Sequence, residues 1–490
     1  MKKAADSLFS FIVLLLYLCL VIFAMHNHEL WGDEIHSWNI VKGSHSFQEL
    51  FQNIRYEGHP PFWYCYLYCF AQFSHSLICL KIAQFVFVAG AAVVLLFFSP
   101  FSRLQKVLLL CGYYFVFEYA VLARNYMPAI FFAFCLAAIY YRNFRYKILC
   151  YYLLLFFLSN VHLLGLLLAF SIHAGFCFDK IQEKRNAILH LFIGLLVFLP
   201  AVYFILPPTD SQLNFEFWKS QWTVSRLYLF VTVIVKSLLP LQQWFNQHWW
   251  NTNFILDNDS IAFRAFAAMA FIGFLCLIYY GTRKSKTAFV ILFVNLLLTF
   301  ILSLIFPLNT ARYVGFVFIG FVLAAWISNK DSVQSFNRNV FILLSILQIP
   351  PGIIALTKDS NAEFSSARSV VRMDKEIPKG AFVAADYWCL NNLSAYLDTS
   401  FYCIELNRSV SFLTWNSEMK SVIHFNYAEA LNDLLTKNQD QPYFFYSMLP
   451  REQLIAGKDA NVNLLLQPIG DSGISIEKSG RVYLYVIRRQ

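Results

Sequence analysis

Residues 8–24 read LFSFIVLLLYLCLVIFA, an apolar run without a charged residue. Its length is close to the ~20 residues with which an α-helix crosses the hydrocarbon core of a bilayer. Lys2 and Lys3 precede the run, and basic residues flank membrane helices mainly on the cytoplasmic side. The run leads into Met25-His26-Asn27-His28, which lacks the small residues of a signal-peptide cleavage site. The sequence therefore predicts an uncleaved first membrane helix that starts in the cytoplasm.

Similar apolar runs recur along most of the chain. Of the 490 residues, 58% are hydrophobic and only 14% are charged, and the mean hydropathy is +0.53. A soluble protein of this size needs more charge to cover its surface. The net charge of +9 comes from short basic clusters between the apolar runs, which the positive-inside rule explains without nucleic acid. The composition predicts an α-helical polytopic membrane protein and argues against a nucleic-acid partner.

The basic clusters also indicate the topology. If every cluster is cytoplasmic, each interval between two clusters holds an even number of membrane crossings. Three apolar stretches lie between the clusters around Lys3 and Arg103, namely 8–24, 61–79 and 82–99. An odd number is not allowed, so we expect 61–79 to be re-entrant or to lie along the interface. Residues 1–356 are then a transmembrane domain with about 11 helices.

The same topology predicts which segments lie outside the cytoplasm. The first extracytoplasmic loop, with the re-entrant or interfacial segment, covers residues 26–80. The long loop 207–260 lies on the same side and contains five tryptophans, Trp218, Trp222, Trp244, Trp249 and Trp250. Tryptophan rings anchor proteins at the membrane interface, and this role is the one we expect for the loop. A lid or a sugar-stacking wall is the alternative.

Residues 357–490 are more polar and contain no spanning run. Residues 381–385 and 483–487 have the composition of strands, and residues 427–437 have that of an amphipathic helix. We therefore expect a small extracytoplasmic α/β domain. Cys389 and Cys403 lie in it, and both a disulfide and two free thiols are open for them.

Two polar clusters in the first loop are candidates for chemistry. Residues 31–38 read WGDEIHSW, with the carboxylates of Asp33 and Glu34 between aromatic residues directly after a membrane helix. Residues 55–64 read RYEGHPPFWY, with Glu57 and His59 ahead of a rigid Pro-Pro corner. Ionisable groups near membrane depth tend to be functional. The carboxylates and His59 could bind a divalent metal or could handle protons without one.

A third cluster, residues 118–126, reads EYAVLARNY and contains Glu118, Arg124 and Tyr126. An acidic pair after the first helix, then Tyr-Glu-Gly-His-Pro, then Ala-Arg-Asn-Tyr resembles the glycosyltransferase C superfamily. That superfamily includes glycosyltransferase family 39-like protein O-mannosyltransferases, lipid A aminoarabinose transferases and lipopolysaccharide galacturonosyltransferases. The resemblance covers about residues 8–175. Many relatives carry a carboxylate directly before the Ala-Arg pair, where this chain has Leu122, and Glu118 is the candidate to replace it.

The resemblance implies the glycosyltransferase C fold and the transfer of a sugar from a polyprenyl-phosphate donor to an acceptor hydroxyl with inversion. It implies Asp33 as the catalytic base, Glu34 as its partner, and Arg124 with Tyr126 at the donor phosphate. Arg312, in Asn309-Thr310-Ala311-Arg312-Tyr313, is a second candidate for the phosphate. Asn160 and His162 interrupt apolar sequence at an expected turn on the same side, and either line the cavity or cap a helix hairpin.

The expected location is the cytoplasmic membrane, surrounded by membrane lipids. The acceptor is then lipid A or lipopolysaccharide of the cell envelope, another glycan, or a protein. Two other functions fit the same composition. A transporter or flippase also has many spans, although its ionisable groups would be expected nearer the midplane. A non-catalytic envelope-assembly partner would explain the missing carboxylate at Leu122.

Overall fold

The computed structural model describes residues 2–211, 225–328, 337–419, 422, 425–439, 441–455, 464–478 and 480–489. A helix bundle is followed by a smaller domain around a mixed β-sheet. The bundle helices are α1 Lys2–Asn27, α2 Gly32–Lys42, α3 Phe47–Asn53, α4 Phe62–Ala71, α5 Leu77–Phe98, α6 Arg103–Leu110, α7 Tyr126–Ile139, α8 Lys147–Ser159, α9 Leu163–Gln182, α10 Ala187–Ile205, α11 Ser225–Leu238, α12 Ile261–Thr282, α13 Lys286–Ile305, α14 Ala311–Ser328, α15 Arg338–Ile346 and α16 Ile349–Asn361.

Eight helical stretches in the described part of the chain are long and apolar enough to cross a membrane, with α15 and α16 together forming one of them. Three shorter apolar helices, Tyr126–Ile139, Lys147–Ser159 and Tyr228–Leu238, fall below this length. At 1.5 Å per residue a helix of 14 residues covers about 21 Å, less than the ~30 Å of hydrocarbon. The expected number of about 11 spans therefore stays a prediction for these three helices.

The first loop, expected over residues 26–80, is largely helical. Helix α2 begins directly after α1, because the Glu34 carboxylate accepts the Trp31 N–H at 3.1 Å and so caps the first turn. Ser46 caps α3 in the same way through Glu49 N–H. Helix α4, in the segment expected to be re-entrant or interfacial, has 10 residues and is about 15 Å long. It is too short to cross a bilayer, and its interfacial placement stays a prediction.

Between α6 and α7 the chain leaves the regular helix. Tyr114–Glu118 is a π-helical turn, and the next residues up to Asn125 are irregular. All residues from 112 to 130 are buried. Irregular backbone at membrane depth is tolerated where protein surrounds it. This interruption places the side chain of Arg124 inside the bundle, near the start of α2.

The C-terminal domain follows α16, which ends at Asn361 rather than near 356. Its six-stranded sheet has the order β3-β2-β1-β4-β6-β5, in which β1 pairs in parallel with β2 and β4. The elements are α17 Ala367–Asp374, β1 Val383–Ala385, α18 Leu390–Tyr396, β2 Phe401–Cys403, β3 Arg408–Val410, α19 Tyr427–Lys437, β4 Tyr443–Ser447, α20 Arg451–Leu454, β5 Leu464–Asp471 and β6 Tyr483–Arg489. Helix α19 has the bounds that the sequence predicts. Cys389 and Cys403 are buried free thiols.

The C-terminal domain packs directly on α2. The Asn39 side chain donates a hydrogen bond to the backbone oxygen of Asn391 at 2.9 Å, and Lys42 forms an ion pair with Asp398. The hydroxyl of Ser365 donates to the backbone oxygen of Leu30 at 3.0 Å. Helix α2 is therefore held between the membrane bundle and the sheet domain, and the residues on it have fixed positions.

Candidate active site

Asp33 lies in the first turn of α2 with 42% of its side chain exposed. Its Oδ2 atom is 2.9 Å from Nη1 of Arg312, the second residue of α14. The Arg312 side chain is only 11% exposed. The contact joins two elements that are 279 positions apart in sequence. The candidate base and one of the two candidate phosphate ligands therefore share one site.

Arg124 reaches the same turn of α2 from the irregular segment before α7. Its Nη1 donates to the backbone oxygen of Asp33 and to the hydroxyl of Ser37 at 3.1 Å. The residue is 6% exposed, and its Nε has no hydrogen-bond partner among the described residues. Nε of Arg312 is also buried, and it too has no hydrogen-bond partner within the residues that the structure describes. Two guanidinium groups thus flank Asp33 and keep N–H groups available.

Aromatic rings surround the Arg312 guanidinium. Its central carbon lies 5.0 Å from the Trp31 ring centroid, 5.6 Å from that of Trp250 and 5.1 Å from that of Tyr313. These distances permit cation–π attraction, which strengthens when the cation is shielded from water. Trp31 and Trp250 are themselves in edge-to-face contact at 4.8 Å. The indole rings hold Arg312 beside Asp33.

The position of Trp250 corrects the expectation for the loop 207–260. Trp249 is fully buried and Trp250 is 8% exposed, so neither anchors the chain at a membrane interface. Trp244 is 44% exposed, as an interfacial ring would be. Trp218 and Trp222 lie outside the described residues. The end of this loop therefore contributes Trp250 to the wall of the site and not to the membrane interface.

The two guanidinium groups set the protonation of Asp33. Burial alone would raise the pKa of its carboxyl, but Arg312 and, next, Arg124 outweigh that effect and lower the pKa below its ordinary value. Asp33 is therefore a carboxylate at neutral pH. Its partial exposure leaves it open to a second molecule.

Glu34 has a different environment from its neighbour. The side chain is fully buried, and its carboxylate accepts N–H bonds from Trp31 and Ala123 and contacts His28 Nε2 at 3.1 Å. Nδ1 of His28 lies 3.1 Å from both carboxylate oxygens of Asp359 on α16. Burial opposes the charge on His28, but the carboxylates of Asp359 and Glu34 raise its pKa to about 9. This network joins α1, α2 and α16.

Glu57 also has its partners within the fold. Both of its carboxylate oxygens lie 3.0 Å from Nε2 of His36, and the hydroxyl of Tyr64 donates to it at 3.3 Å. His36 follows Asp33 by three residues on α2, and its Nδ1 is 3.3 Å from Oδ1 of Asn391 in the C-terminal domain. Burial opposes the charge on His36, but Glu57 raises its pKa above the ordinary value. Glu57 therefore favours the charged form of His36, and the two side chains contact each other beside Asp33.

His59, His162 and Tyr126 form an aromatic group next to the arginines. The rings of His59 and His162 are 4.9 Å apart, and the rings of His162 and Tyr126 are also 4.9 Å apart. Tyr126 follows Arg124 by two residues and is 1% exposed. The three predicted residues thus come together. Whether Tyr126 binds phosphate stays a prediction.

The other two candidates have capping or packing partners. The side chain of Asn160 donates to the backbone oxygen of Phe156 and to Ser159 at the end of α8, which is the helix-capping role. Glu118 is fully buried and accepts hydrogen bonds from Tyr113 and Trp250. Glu118 also interacts electrostatically with Arg312, and whether it takes the place of a carboxylate at Leu122 stays a prediction.

The carboxylates of Glu34 and Glu57 and one ring nitrogen of His162 are engaged by other groups. No three His, Cys, Asp or Glu side chains among the described residues converge as metal ligands. Both oxygens of Glu57 contact His36, and both oxygens of Glu34 accept hydrogen bonds. Nδ1 of His162 accepts the N–H of Leu164. We assign no step to a metal, and the binding of a divalent metal stays a prediction.

Sequence reasoning missed His36 and Asn391, which the site uses. His36 stands in the WGDEIHSW stretch, and its distance of three residues from Asp33 places both on one side of a helix. This spacing predicts that His36 lies beside Asp33 only if residues 32–42 are known to be helical. Asn391 carried no comparable signal, because it reaches the site only through long-range folding. The sequence marks Trp250 only as one of the five tryptophans of the loop 207–260.

Comparison with known proteins supports the fold. No protein-family model and no curated protein matches the sequence. The crystal structure of ArnT from Cupriavidus metallidurans in the apo state aligns over 98% of this chain and 98% of that chain, with a TM-score of 0.56 and 10% sequence identity. ArnT has the glycosyltransferase C fold. At this identity the likeness establishes architecture and not substrates. The chain is therefore a multi-pass membrane protein with the glycosyltransferase C fold.

Proposed function

We propose that the protein is a glycosyltransferase that moves a sugar from a polyprenyl phosphate to an acceptor hydroxyl with inversion at the anomeric carbon. The observation that carries the proposal is the position of Asp33, a partly exposed carboxylate between the buried guanidinium groups of Arg124 and Arg312. A base and a phosphate-binding pair are the two functions that this reaction requires from the protein.

The unpaired N–H groups of the arginines favour a phosphate ligand. Leaving a buried donor without an acceptor costs roughly 1–3 kcal/mol, and more for a charged group. A guanidinium fork matches the oxygens of phosphate in two parallel, charge-assisted hydrogen bonds. Arg124 and Arg312 each keep a buried Nε without a partner in the described part of the chain. A phosphate group between them would satisfy both.

The reaction then proceeds by displacement at the anomeric carbon. The acceptor oxygen forms a bond to this carbon while the bond from the carbon to the phosphate oxygen breaks. The bonding electrons leave with the polyprenyl phosphate, whose added charge Arg124 and Arg312 stabilise. The hydroxyl proton passes to the carboxylate of Asp33. Because the acceptor attacks opposite the leaving phosphate, the configuration inverts.

Because Asp33 and Arg312 form an ion pair, binding of the donor phosphate to Arg312 would also change the pKa of Asp33. In the free protein Arg312 contacts Asp33 at 2.9 Å, which makes the carboxylate a weak base. A phosphate that binds Arg312 competes for the same N–H groups. The carboxylate then loses part of its stabilisation and gains a nearby negative charge, and both changes raise its pKa. Donor binding would thus prepare Asp33 to accept the proton.

Membrane sidedness and the acceptor belong to the same proposal. The charge parity of the sequence favours an active site and a C-terminal domain outside the cytoplasm, at the cytoplasmic membrane. The acceptor would be lipid A or another envelope glycolipid, a glycan or a protein. The C-terminal domain packs on α2, and it therefore lies where an acceptor would approach Asp33.

The test is mass spectrometry of envelope glycolipids and glycoproteins from cells with and without the protein. We expect one species to lose the mass of a single glycosyl group when the protein is absent. Restoration by the wild type and by Asp210→Asn, but not by Asp33→Asn, would assign the change to this site. Asp210 is an exposed loop carboxylate bonded to Tyr56, so it is a matched control. Identical spectra with and without the protein would refute the proposal.

A further inference from the structure

His162 presents a buried hydrogen-bond donor to the site. It is the N-cap residue of α9, and its Nδ1 accepts the backbone N–H of Leu164 at 3.0 Å. An imidazole whose Nδ1 accepts a hydrogen bond carries its proton on Nε2. His162 is 3% exposed, and its Nε2 has no partner in the described chain. The result is an unpaired N–H at the N-terminus of a long helix.

His59 completes a pair of neutral rings. Its ring lies 4.9 Å from that of His162, and its Nδ1 is buried without a partner among the described residues. Burial, followed by Arg124, lowers the pKa of His59 to about 4. Burial and the nearby His59 and Arg124 lower the pKa of His162 well below its ordinary value. Both rings are uncharged at neutral pH and suit hydroxyl groups.

The formal charges of the site match one phosphodiester. Arg124 and Arg312 contribute two positive charges and Asp33 one negative charge, which leaves one positive charge. Glu57 favours the protonated form of His36, and in that form the two charges cancel. A sugar linked to a polyprenyl phosphate carries one negative charge on its phosphodiester. No cation then remains for a carboxylate on the sugar, and no carboxylate remains for an ammonium group.

Glu118 and Lys236 are two further buried charged groups of this region. Glu118 interacts electrostatically with Arg312 and accepts hydrogen bonds from Tyr113 and Trp250. Lys236, which is also buried, donates to the backbone oxygens of Asn251 and Asn309. The opposite formal charges of Glu118 and Lys236 cancel, so they leave the balance of Asp33, Arg124 and Arg312 unchanged.

From this arrangement we propose that His59 and His162 form the subsite for the transferred sugar, and that this sugar is uncharged. The protein would accept a neutral hexose or pentose in preference to a uronic acid or an amino sugar. This inference rests on the proposed function, because it assigns the substrate class of the same site.

The first experiment compares three classes of donor with the purified protein in liposomes. Polyprenyl-phosphate hexose, uronic acid and amino sugar are supplied with an extract of envelope acceptors, and transfer of the labelled sugar is measured. We expect kcat/KM for the neutral sugar to exceed that for either charged sugar by at least about tenfold, because a buried unpaired charge costs more than 1.4 kcal/mol. Preference for a charged sugar would overturn this inference but not the proposed function. Absence of transfer from every donor would refute both.

The second experiment tests His162 itself. His162→Ala should lower kcat/KM for the neutral donor about tenfold, whereas His162→Gln, which keeps an N–H donor, should lose less. A series of deoxy donors, each lacking one sugar hydroxyl, then identifies the hydroxyl that His162 binds. The donor that lacks this hydroxyl should be used equally by the wild type and His162→Ala, because the same hydrogen bond is already lost in both cases. His173→Ala is the matched control, since His173 is a buried histidine of α9 whose two ring nitrogens contact Tyr151 and the backbone of His190. An equal loss on every deoxy donor would overturn the assignment.

Discussion

Replacing Arg312 by glutamine removes the cation that pairs with Asp33 and that, under the proposed function, binds the phosphate. The Arg312 side chain is 11% exposed, lies 2.9 Å from Asp33 and is surrounded by Trp31 and Trp250. Glutamine fills part of the same space and keeps one N–H donor, but it carries no charge. The substitution therefore tests electrostatics more than packing.

The expected magnitude follows from the two roles of the residue. Loss of one preorganised donor to a developing anion lowers kcat by about 10²–10³, or roughly 3–4 kcal/mol of transition-state stabilisation. The substitution also removes the strongest influence that lowers the pKa of Asp33. That pKa then rises, so the carboxylate is protonated at a higher pH. The acid limb of the kcat/KM profile should move to higher pH in Arg312→Gln.

The assay is transfer from a polyprenyl-phosphate sugar by purified protein in liposomes, measured from low to neutral pH. Arg264→Gln is the control, because Arg264 is an exposed arginine whose carboxylate partner, Asp259, is also exposed. We expect the control to keep wild-type kcat and pH profile. If Arg312→Gln keeps kcat within about threefold of the wild type and the same acid limb, Arg312 does not bind the leaving phosphate.

Three further predictions concern groups around the site. The pKa of His28 is raised to about 9. The stabilisation from its charged form is therefore complete below its unfolded pKa of ~6.5 and is lost as pH rises towards 9. Thermal unfolding should show this decline in stability, worth roughly 3 kcal/mol, in the wild type but not in His28→Gln, and equal slopes for the two proteins would contradict the prediction. Gly315→Ala places a methyl group against the Tyr119 hydroxyl, so we expect a loss of about 1–3 kcal/mol in detergent unfolding, and an unchanged midpoint would contradict the close packing. Asn391→Ala removes the contact with His36. The kcat of this variant should fall about threefold to tenfold at unchanged KM. A wild-type kcat would show that the C-terminal domain does not position α2.

Much of the fold could be predicted from the sequence, because membrane helices and exposed helices leave strong local signals. The first membrane helix follows from its apolar run, and α19 from its periodicity. The helical character of residues 32–53 was missed because α2 has apolar and polar residues on all sides. It is sandwiched between the bundle and the sheet domain, so no single face shows an apolar stripe. The secondary structure of such a segment is determined by its tertiary contacts and not by its own hydrophobic pattern.

The site was predictable where a motif supplies the residues and not where folding assembles them. Asp33, Arg124 and Arg312 meet as expected. Glu34 is adjacent to Asp33 in sequence, but on a helix the two side chains point about 100° apart, and Glu34 faces His28 instead. Sequence could not distinguish these two carboxylates. Trp250 could not be placed either, because an interfacial tryptophan and a tryptophan beside a buried arginine have the same local sequence.

The base assignment is tested most directly by measuring donor binding and transfer separately in Asp33→Asn. We expect the variant to bind a polyprenyl-phosphate sugar at least as tightly as the wild type, because Arg312 no longer has a competing carboxylate. Transfer in a single turnover should nevertheless fall by about 10²–10⁴, which is the contribution of a positioned general base. If Asp33→Asn transfers the sugar at the wild-type rate, Asp33 is not the base. If it loses donor binding instead, the carboxylate belongs to the binding site and the assignment is wrong.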